Sequence, residues 1–116
     1  MSRQVEQADE DGPSIPGPTF RAVVRGYKAE EPDPDLAAVI VEVDPDVEVP
    51  KAACLRELGH ARRRSDRLRV ERAVACIMGR WEALEIGTRW VDQWVYIGVG
   101  TDGRAVLEQV SPDIPF

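Results

Sequence analysis

The stretch VERAVACIMGRWEAL, residues 70–84, decides how this chain is expected to fold. Its apolar residues Val70, Val74, Ile77, Trp81 and Leu84 fall at i, i+4, i+7, i+11 and i+14. That spacing places side chains on one stripe of an amphipathic helix. Read this way, the helical part starts upstream at Pro50, whose missing N–H costs nothing in a first turn. It carries Leu55 and Leu58 on one side and closes at Gly87. Positions 59–67 offer only Ala61 to a core. The segment is therefore expected as one long helix with a solvated middle, or as two helices broken between Gly59 and Asp66. In the second case Ser65 or Asp66 caps the second helix.

The flanks read as strands. TFRAVVRGY, residues 19–27, alternates Phe20, Ala22 and Val24 against Arg21, Val23 and Arg25. The following Pro32 and Pro34 exclude a central strand and favour a loop. LAAVIVEV, residues 36–43, is apolar and dense in β-branched residues, which suits a buried strand, and VEV at 47–49 prolongs it. TRWVDQWVYIGVG, residues 88–100, sets Val91, Val95, Ile97 and Val99 on one face and Trp90, Trp94 and Tyr96 on the other; either the aliphatic face meets the helix and the aromatics face outward, or the aromatics are core with Trp81 packed against them. Asp102-Gly103 then favours a type I′ hairpin turn into RAVLEQV, residues 104–110. The order is ββ-α-ββ: two hairpins forming an antiparallel sheet against one long or broken helix, an α+β fold. Residues 1–18 read as a flexible acidic tail ending in prolines and glycines, 19–111 as a single domain, and 112–116 as a short tail.

Charge is segregated along the chain. The net charge is −6, yet GHARRRSDRLR, residues 59–69, holds five arginines and the only histidine, His60. Residues 1–50 balance to −8, residues 51–80 to +6, and residues 81–116 to −4. The arginines Arg62, Arg63, Arg64 and Arg67 have three readings. They form a solvated face partly neutralised by the chain's own acids, they meet carboxylates of a partner protein, or they contact phosphates. Overall acidity opposes long-range attraction to a polyanion.

The chemistry-bearing residues are few. No G-x-S-x-G or phosphate loop occurs, and the Asp-Pro pairs at 33–35 and 44–46 lack the spacing of a calcium loop. Cys54 and Cys76 read as reduced, buried thiols of a cytoplasmic protein, with a disulfide between them as the second reading. With one histidine they do not reach zinc-ligand spacing, so neither a metal nor a cofactor is expected. There is no apolar run of membrane-spanning length and no apolar signal segment near the N-terminus.

Any histidine-based catalysis must use His60. The run H-A-R-R-R-x-x-R from His60 to Arg67, followed by a β-hairpin, resembles small bacterial RNase toxins of the RelE/BrnT kind. The resemblance implies basic and aromatic residues set on a small sheet backed by helices, and RNA as substrate. It rests on no diagnostic motif, so no catalytic residue is carried across. The preferred expectation is a small non-catalytic protein that binds another protein or itself, as an adaptor, inhibitor, immunity-type protein or assembly component. Its expected contact residues are Arg62, Arg63, Arg64, Arg67, Trp90, Trp94 and Tyr96. Trp and Tyr are enriched where interfaces concentrate their energy. The alternative is a nucleic-acid-associated protein using the arginine segment, with His60 as its acid/base group.

Overall fold

The computed structural model describes residues 14–30, 32–62 and 70–110. Among these described residues, six strands and one helix follow in the order β1 (Phe20–Ala29), β2 (Leu36–Val43), β3 (Leu55–Arg62), β4 (Val70–Gly79), α1 (Arg80–Arg89), β5 (Trp94–Val99) and β6 (Ala105–Gln109). They build one sheet in the order β3-β4-β2-β1-β5-β6, with every neighbouring pair antiparallel.

The mixed α/β architecture with an antiparallel sheet matches the expectation, but the element order does not. It is four strands, one helix, two strands. The segment from Pro50 to Gly79, expected as helix, contains the β3–β4 hairpin, and the helix is confined to ten residues, Arg80–Arg89. The stripe over 70–84 is thus split. Val70, Val74 and Ile77 belong to β4, and Trp81 and Leu84 to α1. β4 is a central strand, paired with β2 on one side and β3 on the other. Its residues Val74 to Met78 are buried on both faces, so it reads as a nearly continuous apolar run, which periodicity alone cannot separate from buried helix. Gly79 ends β4 and is the N-cap of α1 in extended conformation, with no side-chain cap. The VEV segment at 47–49 joins no strand.

Side chains directly opposite in antiparallel strands share a face. The register therefore assigns one face to Phe20, Ala22 and Val24 of β1, Ala37, Val39 and Val41 of β2, Val74, Cys76 and Met78 of β4, Val95 and Ile97 of β5, and Leu107 of β6. All of these are buried. α1 lies over this face against β2, β1 and β4, and buries Ala83, Ile86 and Gly87. Gly87 permits the close approach, because a Cβ there would sit 2.6 Å from Cβ of Tyr27 and 3.0 Å from the Gly26 carbonyl carbon. Val47 and Val49, from the β2–β3 connection, pack against the same core. Arg72 fixes that connection by donating to the carbonyl oxygens of Pro45 and Val47, while it pairs with Glu57 at 2.8 Å.

Two strands are bulged. In β1 the register shifts between Val24 and Gly26, and in β3 between Glu57 and Gly59. The β5–β6 turn differs in type from expectation. The Gly103 N–H donates to the Gly100 carbonyl at 3.0 Å, and Gly103 alone in the turn has positive φ, at 82°. This is a three-residue loop closed by a left-handed glycine, and not the two-residue type I′ turn.

Candidate interaction surface

Among the described residues, no helix lies over the opposite face of the sheet. Its β5–β6 end is covered by the segment before β1. Ser14 donates from its backbone N–H and its hydroxyl to Glu108 Oε1, at 2.8 and 3.0 Å. Ile15, 7% exposed, seats over Gly98, where a Cβ would come within 2.6 Å of Ile15 Cγ2. The glycine is thus the socket for the one sizeable aliphatic side chain of this segment.

Beyond that cover stand the aromatic residues of β5. Trp94 is 45% exposed, with the Arg21 guanidinium 5.2 Å from its ring centroid. Tyr96 lies opposite Arg21 in the register and is half-buried. A cation over an indole face holds both side chains in place. Nearby, the β1 bulge presents Arg25 to Glu42 at 3.0 Å and to Asp92 at 2.5 Å. The hydrogen bond it donates to Glu42 is the leading cause of an upward shift of its pKa, so the guanidinium stays charged. Bulges often re-aim a side chain in this way. Asp92 itself adopts a left-handed φ of 68° and donates its N–H to Val24 O at 2.8 Å, tying the α1–β5 turn to β1.

The other half of this face is a trough. Its floor is small: Ala38 and Ile40 of β2 and Ala75 of β4. Its walls are long: Lys28 of β1, and Arg56 and Leu58 of β3. The hollow measures about 470 Å³. Arg56 and Glu30 come from opposite sides of strands β4 and β2 and meet at 2.6 Å. Leu58, displaced by the β3 bulge, is 50% exposed. Lys28 has no ion-pair partner among the described residues. A second hollow of about 320 Å³ adjoins through Ala29 and Glu30 and reaches Pro34, Leu36 and Arg80.

The residues singled out from the sequence are dispersed. Trp94 and Tyr96 lie on the uncovered face, opposite buried Val95 and Ile97. Trp90 and Val91 do not share that strand. Trp90 is the C-cap of α1 and packs against the core, and Val91 lies in the turn before β5, 38% exposed. Trp81, expected in the core stripe, is 75% exposed, beside Arg80 on α1. The backbones of His60 and Arg62 pair with Arg72 and Val70 at the outer edge of the sheet. Arg63, Arg64 and Arg67 lie outside the described residues. The trough was missed, although Lys28 and Leu58 stood in the sequence beside residues already assigned. Its signal was the alanines Ala38 and Ala75, too small to fill the space between long neighbours.

Cys54 and Cys76 are both buried and unpaired. Burial raises the pKa of each thiol, most strongly for Cys76. Among the described residues no group of three or more His, Cys, Asp or Glu could hold a metal ion, and no helix is long and apolar enough to cross a membrane. No known protein family, curated protein or solved structure matches the chain.

Proposed function

We propose that this chain is a non-catalytic protein-binding module, whose contact surface is the sheet face left uncovered by α1. The observation that carries the reading is Trp94. A large aromatic stands half-exposed on an internal strand, held by Arg21, and the same sheet face carries, toward β3, a hollow with apolar floor and charged walls. Rigid aromatic anchors and apolar hollows with a polar rim are how protein interfaces concentrate their energy. Such a module acts as an adaptor, inhibitor or assembly component by occupying a partner or a second copy of itself.

The test is site-specific photocrosslinking. With p-benzoylphenylalanine in place of Trp94, and separately in place of exposed Trp81 on α1, the expected result is a discrete protein adduct from position 94 alone. Adducts from position 81 alone, or from neither, would overturn the reading.

A second reading rests on one feature. The arginine-rich segment 63–69 joins β3 to β4, so His60 and Arg62 sit at the end of a hairpin on the sheet edge. A charged hairpin of this kind suits phosphate contact. RNA retention that falls steeply with salt, and disappears when Arg62, Arg63 and Arg64 are changed to Ala, would support it. Unchanged elution of the protein in the presence of RNA at low salt would remove it.

A further inference from the structure

We infer that the trough between β1 and β3 is a recognition site for an acidic peptide, a carboxylate side chain flanked by an aliphatic one; this rests on the protein-binding reading above. The argument is one of shape and charge. The floor of Ala38, Ile40 and Ala75 is apolar and cannot satisfy a polar ligand. It suits an aliphatic side chain, with exposed Leu58 as its lateral contact. The walls carry two cations against one anion. Lys28 is unpaired among the described residues. Arg56 uses a single guanidinium nitrogen on Glu30, so the rest of its fork is open to a second carboxylate. An incoming carboxylate bridged by Lys28 and Arg56 neutralises the surplus charge, and charge-assisted forks give orientation as well as strength. Glu30 serves as the internal occupant of Arg56, holding the guanidinium over the trough before a ligand arrives.

A nucleic-acid backbone fits this place poorly. Successive phosphates need a run of cations, and this trough has an apolar floor and a carboxylate in its wall.

The experiment selects a displayed random-peptide library on the full chain, and measures the enriched peptides by fluorescence anisotropy. Expected is enrichment of Asp or Glu beside Val, Leu or Ile. Affinity should fall about tenfold in Lys28→Glu and in Leu58→Ser, and stay unchanged in Arg89→Glu on the far side of α1. Lys28→Glu keeps the test interpretable, because Lys28 is exposed and its replacement should leave the melting temperature as it was. Three outcomes would overturn the proposal. Enriched peptides without acidic residues would do so, as would binding that survives Lys28→Glu, and displacement by a ribo-oligonucleotide at low salt. Peptides lost with Trp94→Ala but retained with Lys28→Glu would sink this site while sparing the protein-binding reading. Failure to enrich any peptide, together with no adduct at position 94, would sink both.

Discussion

The two faces of the single sheet use the same strands for opposite purposes. Toward α1, every strand offers buried apolar side chains, down to Leu55 of β3 and Leu107 of β6 at the edges, and Val24, Val39, Val41, Val74, Val95 and Ile97 are fully buried. On the other side, the strands alternate small residues with long charged or aromatic ones, and the cover is partial. Stability is concentrated on the first face, and freedom to vary on the second. The difference teaches where function can be sought, since a residue that holds the fold together is a poor place for a surface to meet a partner.

The comparison breaks most severely if the covered face proves tolerant. Ile97→Ala removes a fully buried side chain from that face and should cost about 2–5 kcal/mol in chemical denaturation. Gly87→Ala should follow. The new Cβ meets Tyr27 and the Gly26 backbone, so the helix must lift, at about 1–3 kcal/mol. A value near zero would show that α1 is not seated as described.

The third prediction concerns pH. The Cys76 thiol is pushed above its ordinary value near 9 by burial. In the unfolded chain that thiol ionises first, so above about pH 9 the unfolded state binds fewer protons than the folded one. Its contribution is fully present below that pH and declines as pH rises, by up to about 1.4 kcal/mol per pH unit. Cys76→Ala should flatten this alkaline decline in a series of denaturation curves. An unchanged slope would mean the thiol is not sealed in the core.

The smallest effects belong to the uncovered face. Arg56→Gln breaks an ion pair that is half open to water, and should change stability by about 0–1 kcal/mol. Arg21→Ala should be equally mild, yet should shift the Trp94 emission by removing the cation over its ring. If either substitution unfolds the protein, the division of labour between the faces is wrong.

The hairpins β1–β2 and β5–β6 were legible because β1 and β5 alternate with period two, and the short apolar run of β2 is too rich in β-branched residues for a helix. Alternation separated Val95 and Ile97 from Trp94 and Tyr96 but left open which set is buried, because either is apolar enough to face a core; the structure buries the aliphatic set. The β3–β4 hairpin was not legible. Ala73, Ala75, Cys76 and Met78 carry little strand preference, and apolar residues on both faces of β4 imitate a helical stripe. Trp81 and Leu84 extended that coincidence across the true strand–helix boundary at Gly79. The trough escaped because it depends on β3 and β1 flanking β2 and β4, and β4, which follows β3 in the chain, comes between them only in space.

The outer strand β3 has a consequence for how two copies can meet. Sheets left with a straight, apolar rim recruit other rims into continuous ladders. Here that rim carries Arg56 and Glu57 and loses its register between Glu57 and Gly59. Strand-by-strand growth along this border is therefore frustrated, and a second molecule that meets the β3 side must approach broadside, across the sheet, and not rim to rim.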